Sequence, residues 1–442
     1  VAEMIDGTVG QDTILGEGGN DTLIGERGDD SINGGTGNDL IKGDQEVTYL
    51  SFQAGNDTLD GAEGDDTIIG SAGNDLIYGG IGNDLINGDG GHDSIYGDAG
   101  NDTIFGDDSD DFLSGGADDD VISGWIGNDK IFGGDGADNL FGDGGDDTID
   151  AGDGNDLVQG GDGKDNISGG DGDDKLEGGD GLDFLLGGNG NDTLLGGDVM
   201  DELWGQNGND MIEGGGGGDW IRAGRGDDTV YGQDGNDGIY GHGGSDDLSG
   251  GDGNDVIYAH SGNDKVSGDD GDDYLNGGVG HDVITGGIGS DFIVGGLGND
   301  YADGGADNDR LVTGHGVDTL IGGSGDDTLS AGAANDQLFG GADNDKLNGG
   351  LGNDFLSGGT GNDILTGSRG SDTFFFTAND GVNTVTDFRQ RADHLQLEGF
   401  DGDLSALTLS EDNGDLRIEW EDTVIILDHT RAAELDISDF IL

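Results

Sequence analysis

The residues with chemistry to offer in this chain are aspartates, and they recur every nine positions. Stepping by nine from Asp12 meets Asp21, Asp30 and Asp39. After Thr48 it meets Asp57, Asp66, Asp75, Asp84, Asp93, Asp102, Asp129, Asp138, Asp147, Asp156, Asp165, Asp174, Asp183 and Asp192. It continues through Asp210, Asp219, Asp228, Asp237, Asp246, Asp255, Asp264, Asp273, Asp282, Asp291, Asp300, Asp318, Asp327, Asp354, Asp363 and Asp372. The register also passes through Asp111, Asp120, Asp201, Asp309, Asp336 and Asp345, so 40 of its 41 positions are Asp. In 34 of the 41 units the residue two before this position is Gly. Each turn therefore offers a hard anionic oxygen beside backbone carbonyls that no Cβ screens. An oxygen-only donor set in a flexible cage, without thiolates, favours Ca²⁺ over the tighter, partly hydrated Mg²⁺ octahedron and over softer metals.

The elements that must carry these oxygens follow from a second column. Two residues after each Asp stands a large aliphatic residue, from Ile14, Leu23 and Ile32 to Phe374, with Ala302 as the one small exception. The unit is G-G-x-G-x-D-x-U-x, read as a six-residue turn and a three-residue strand whose U side chain points inward. A fixed short period of this kind is the mark of a repeat architecture. Two nonapeptides make an 18-residue coil with two strands and two turns. Stacking some 20 coils at roughly 4.8 Å each predicts a rod of about 100 Å with a thin aliphatic core. The segment Gln45–Ala54 keeps phase, with Leu50 on the apolar position, and reads as a degenerate coil. Three of the residues replacing the usual Gly, Asp118, Asp307 and Asp343, tolerate a left-handed backbone better than most.

These motifs resemble the RTX (repeats-in-toxin) calcium-binding repeat over nearly the whole chain, from about Asp12 to Leu442. The resemblance implies an all-β fold: a parallel β-roll, a two-sheet right-handed solenoid, over 1–372, with a non-repetitive β cap over 373–442. It also implies that each Ca²⁺ lies between turns one coil apart on the same edge, held by the repeat Asp and Gly carbonyls. Asp174 would pair with Asp192 and Asp183 with Asp201, with Gly169, Gly172, Gly178 and Gly181 supplying carbonyls. At most 39 such sites exist, carrying +78 against the formal charge of −82. Turns beside Val199–Met200, Ala333–Ala334 and Gln45–Ala54 are expected to be weakened or empty. Low calcium inside the cell would leave the chain unfolded, and millimolar calcium outside would turn binding energy into folding energy. The family resemblance implies type I secretion to an extracellular or cell-surface location, and Asp439–Leu442 resembles the end of such a secretion signal.

The tail after Asp372 breaks into short alternating runs (TFFF, NTVTDF, HLQLEGF, DLRIEW, TVIILD), which predict antiparallel strands closing the last coil. At the other end Val1–Gly10 enters the repeat almost at once. The chain begins with Val and shows no signal pattern, so it reads as trimmed or partial, with an open end that an upstream domain or another molecule would cover.

Acidity of this degree excludes nucleic acid and anionic membrane surfaces as partners. No apolar run reaches the roughly 18 residues a membrane helix needs. No HExxH, GxSxG or P-loop lysine occurs, so no catalytic residue is assigned and the chain is not read as an enzyme. His242 and His260, one coil apart, read as tolerated turn variation rather than a transition-metal site. Outward strand positions carry an aromatic strip: Phe184, Trp204, Trp220, Arg222, Tyr240, Tyr258, Tyr274 and Phe292. It would stabilise the ladder by stacking, or meet another rod or a glycan. A rank of Thr that would suit an ice surface is missing. The leading expectation is a secreted, calcium-folded structural or interaction protein forming a surface layer, filament or matrix. The alternatives are the carboxy-terminal part of a larger secreted enzyme (protease, lipase or alginate epimerase) and a glycan-binding adhesin.

Overall fold

The computed structural model describes residues 1–44, 55–400, 402–412, 414–435 and 437–441. The degenerate segment Gln45–Ala54, with Thr48 and Leu50, lies outside the described residues, as does Leu442. The chain divides into two compact units, Val1–Ala223 and Gly224–Leu442.

Each unit is a parallel β-solenoid. In the first, the strand Lys175–Asp180 pairs in parallel with Leu157–Asp162 on one side and Thr193–Gly197 on the other. The intervening strand Phe184–Asn189 pairs with Asn166–Asp171 and Glu202–Asn207 in a second sheet. The register is 18 residues throughout this stretch, as when Leu176 faces Leu194 and Leu185 faces Leu203. The second unit repeats the arrangement: Val256–Ser261 pairs with Gly238–Gly243 and Tyr274–Val279.

The strands are longer than the repeat suggests. Instead of three residues they span six, as in Lys175–Asp180, and the turn shrinks to three. Interstrand pairing continues through the two glycines because Gly179, at φ 110°, bends the backbone without a Cβ to clash with Gly161 of the preceding coil. Alternation then points two residues of each strand inward. One is the U residue, fully buried at Leu176, Leu185 and their equivalents. The other is the Gly two positions later, or Ala at Ala151, Ala223, Ala259 and Ala331, also fully buried. One large and one minimal side chain per strand produce the thin core.

The C-terminal end corrects the expectation of an antiparallel cap. Thr373–Phe376 joins the parallel ladder at the usual offset of 18 residues, and Val382–Val385 and His394–Leu397 continue it at offsets of 20 and 21. Thr408–Asp412, Asp415–Trp420 and Thr423–Leu427 pair antiparallel in sequence, and Thr423–Leu427 also pairs in parallel with Val382–Val385. Phe440–Ile441 then returns to pair in parallel with Leu395–Gln396. The reason lies in their side chains: Phe374, Val385 and Leu395 extend the inward apolar column and are fully buried. The terminal run beginning at Asp439 is thus packed, with Phe440 against Phe400 at 5.3 Å and the Asp439 carboxylate accepting from the Arg391 amide.

Candidate metal centre

The registered aspartates are buried to the level of core residues, Asp174 and Asp183 at 3% exposure. Strand alternation accounts for it: Asp174, Leu176 and Gly178 are buried while Lys175 and Glu177 face outward. The two oxygens of each carboxylate then part company. Asp174 Oδ1 accepts from the Asp156 amide at 2.9 Å, and the Asp174 amide donates to Asp192 Oδ1 at 3.0 Å. On the other edge Asp165 donates to Asp183 and Asp183 to Asp201, each at 2.8 Å. The carboxylates thus form two columns, each hydrogen-bonded coil to coil, and the structure brings together the expected pairs Asp174/Asp192 and Asp183/Asp201.

The second oxygen has no such partner. From Asp21 to Asp201 and from Asp246 to Asp363, Oδ2 of the registered aspartates is buried and accepts no hydrogen bond. An unpaired buried carboxylate oxygen is costly. The effect is visible in the acidities: burial lifts Asp174 from 3.8 to about 7 and Asp111 and Asp345 to about 8, with repulsion from neighbouring aspartates adding to it. Backbone hydrogen bonding to Oδ1 opposes the rise without cancelling it.

Each orphaned oxygen packs against a glycine, where a side chain would collide with it. A Cβ at Gly178 would lie 2.6 Å from Asp183 Oδ2 and 2.7 Å from the carbonyl oxygen of Gly196, one coil on. Gly169 stands in the same way before Asp174 Oδ2 and the Gly187 carbonyl. The absence of a Cβ thus lets an anionic oxygen and a carbonyl oxygen of adjacent coils approach the same glycine. Gly172 and Gly181 serve differently. At φ 145° and 157° they stack on the carbonyls of Gly154 and Gly163, where any Cβ would collide. Among the described residues no group of three or more acidic, His or Cys side chains clusters, and the donors beside each Oδ2 are backbone carbonyls. Oxygen-only, carbonyl-rich coordination of this kind fits Ca²⁺.

Of the turns expected to be weak, those of Asp201 and Asp336 keep the same buried, unpartnered Oδ2 as their neighbours, and the one at Gln45–Ala54 lies outside the described residues. Ala334 adopts the positive φ that Gly supplies elsewhere, as do the substitutes Ser109, Asp118, Asp307 and Asp343; Val199 does not, and the strand before it, Thr193–Gly197, is one residue short. The carboxylates depart from the pattern at other turns. Asp12 is only partly buried, and its Oδ2 accepts from the Thr8 amide and hydroxyl at 2.6 and 2.8 Å. At Asp318 the place of that packed glycine is taken by Thr313, whose hydroxyl donates to the Ala331 carbonyl at 2.8 Å. Asp372 is engaged by Arg389.

A further ladder escaped the sequence reading. The residue before the registered Asp, often Asn or Asp, accepts from the amide one coil later. The Asn191 amide donates to Asp173 Oδ1 at 2.7 Å and the Asp173 amide to Asn155 Oδ1 at 3.0 Å. The frequent G-N-D triplet was its signal.

The aromatic strip is a set of cross-coil contacts between half-buried rings. Phe184 meets Trp204 at 5.3 Å, and Arg222 lies over Trp204 at 4.6 Å and over the more exposed Trp220 at 5.8 Å. In the second unit Tyr240, Tyr258, Tyr274 and Phe292 follow one another at 5.4 to 5.5 Å. His242 and His260 stack at 5.1 Å beside them. An equivalent run, Tyr78–Tyr96–Phe112–Phe132, lies outside the expected strip and draws on the same two outward columns.

The model of the RTX calcium-binding nonapeptide repeat matches residues 6–41 and, in overlapping copies, 53–382. The chain belongs to this RTX calcium-binding repeat family. No curated protein is similar enough in sequence to match it. Among solved structures, the extracellular lipase LipA from Serratia marcescens aligns at 20% identity with a TM-score of 0.23. That alignment covers 50% of this chain and 42% of the lipase, and at this score it carries no argument about activity. No helix among the described residues is long and apolar enough to cross a membrane.

Proposed function

We propose that this chain is a secreted calcium-binding protein that folds when Ca²⁺ fills its turns and then serves as a structural or interaction element, without catalysis of its own. The observation that carries this reading is the set of buried carboxylates, from Asp21 to Asp201 and from Asp246 to Asp363, whose Oδ2 atoms accept no hydrogen bond. Asp174 Oδ2 with the Gly187 carbonyl, and Asp183 Oδ2 with the Gly196 carbonyl, would hold the ion; it would supply the positive charge that lets a chain of formal charge −82 pack. The family's association with secretion supports an extracellular setting, where calcium is abundant. Interaction is supported by an edge column without acids, in which Val279, Leu297 and Leu351 are about half exposed and His315 and Ala333 stand between Leu297 and Leu351. The aromatic rings, largely engaged with one another, support a ladder role more than a glycan platform. The test is circular dichroism with Ca²⁺ and with excess chelator. A β signal that survives chelation at neutral pH sinks the reading; electron microscopy of the calcium form then separates single particles from polymers.

A further inference from the structure

The two carboxylate columns end differently. On one edge the Asp345 amide donates to Asp363 Oδ1 at 3.0 Å, and the Asp363 amide donates to Asn383 Oδ1 at 3.0 Å. A neutral amide takes the place of the next aspartate. On the other edge the Asp354 amide donates to Asp372 Oδ1 at 3.0 Å, and the Asp372 amide donates to Asp393 Oδ1 at 3.1 Å. Here the acid is kept, offset by 21 residues, and both Asp372 and Asp393 are almost fully buried.

At this turn a cation is present, and the protein supplies it. Arg389 Nη2 lies 3.1 Å from Asp372 Oδ2, 2.8 Å from Asp393 Oδ1 and 2.9 Å from the Gly370 carbonyl oxygen. Its Nε donates to Asp393 Oδ2 at 3.2 Å, and its backbone amide donates to the same oxygen at 2.7 Å. Of these oxygens the registered Oδ2 is the one that the repeat turns leave without a donor; the carbonyl is that of Gly370, two residues before Asp372 as Gly172 is two before Asp174, and the second carboxylate is the next of the column. Asp354 Oδ2, one coil earlier on this edge, accepts nothing. Two other ion pairs among the described residues, Lys265–Asp247 and Arg417–Glu419, lie away from the registered columns.

We propose that the Arg389 guanidinium is a resident cation at the last turn of this edge, occupying the position that Ca²⁺ takes at the turns before it. The site formed by Asp372, Asp393 and Gly370 therefore binds no calcium, and the terminal coil keeps its order when calcium is withdrawn. The inference rests on the calcium reading of the repeat. A guanidinium suits the task because it stays charged at every accessible pH and its planar fork engages a carboxylate through two nitrogens.

The test is hydrogen exchange by mass spectrometry on the full chain, with Ca²⁺ or with chelator, for the natural sequence and Arg389→Gln. In chelator the natural protein should keep Thr373–Phe376 and His394–Leu397 protected by about tenfold or more over the repeat strand Lys175–Asp180, the scale of charge-assisted hydrogen bonds. Arg389→Gln should lose that protection in chelator and regain it in millimolar Ca²⁺, because the vacated oxygens then form an ordinary calcium turn. Loss of terminal protection from the natural protein in chelator overturns the proposal. So does Arg389→Gln staying protected in chelator, or staying unprotected in Ca²⁺, which would make Arg389 a structural residue that no ion replaces. If instead the repeat strand itself ignores calcium, the calcium reading fails, a result distinct from each of these.

Discussion

Replacing Asp174 by Asn separates the two jobs that its carboxylate performs. The amide oxygen keeps the place of Oδ1, so the 2.9 Å bond from the Asp156 amide survives. What disappears is the charge on Oδ2, beside Gly169 and the Gly187 carbonyl. In calcium the loss is one site. A site held at ten times its dissociation constant contributes about 1.4 kcal/mol, so Asp174→Asn should destabilise the loaded protein by about that amount. Without calcium the sign reverses. Burial holds the Asp174 carboxyl at about 7 against an ordinary 3.8, which corresponds to a penalty of about 4 kcal/mol for keeping it ionised above pH 7, shared with Asp156 and Asp192. Asn removes that penalty, so the metal-free variant should be the more ordered of the two. Asp174→Ala is the control: it also strands the Asp156 amide, adding about 1–3 kcal/mol of cost in both states. Urea melts followed by circular dichroism in Ca²⁺ and in chelator at pH 8 read all three proteins. If Asp174→Asn moves both states in the same direction, or equals Asp174→Ala in calcium, the division of labour between Oδ1 and Oδ2 is wrong.

Three other outcomes follow from the same geometry. Gly172→Ala places a Cβ at φ 145° against the Gly154 carbonyl, and should lower loaded-state stability by more than 2 kcal/mol in thermal melts, roughly double the cost of an ordinary Gly replacement. In chelator, acid should substitute for calcium. The folded carboxyls of Asp57, Asp66, Asp165 and Asp174 sit at about 7 and those of Asp111 and Asp345 at about 8, above their unfolded 3.8. The folded form therefore binds more protons, and its stability grows as pH falls from 8 towards 4; metal-free β signal should rise over that range, and a flat profile would contradict the burial. Arg222→Ala should cost about 0.5–2 kcal/mol by unstacking Trp204 and Trp220 in the calcium form, visible as a shift of tryptophan fluorescence, with calcium affinity unchanged.

The coil, its 18-residue register and the inward U column were legible because they repeat: an error in one turn is corrected by the forty others. The pair Asp174/Asp192 is what the resemblance to the RTX repeat implies, and the 18-residue coil places the two on adjacent coils. Strand length was not legible. Gly178 and Gly179 look like turn residues, yet ladder pairing runs through them, since a missing Cβ permits a bend that keeps its hydrogen bonds. The mixed pairing of the C-terminal end was equally hidden, because alternation alone does not say whether a strand runs parallel or antiparallel to its neighbour.

What the sequence by itself determined is therefore everything periodic: the all-β solenoid, the aspartate columns, the oxygen-only donor chemistry and the need for cations implied by −82 charges. The tertiary structure alone decided which oxygen of each carboxylate holds the next coil and which is left for an ion. It alone decided that Arg389, outside every repeat, reaches Asp372. The physical reason is the same in each case. Periodicity reports on contacts between equivalent positions, whereas these contacts join positions that are not equivalent, and only closure of the turns in space brings them within hydrogen-bonding distance.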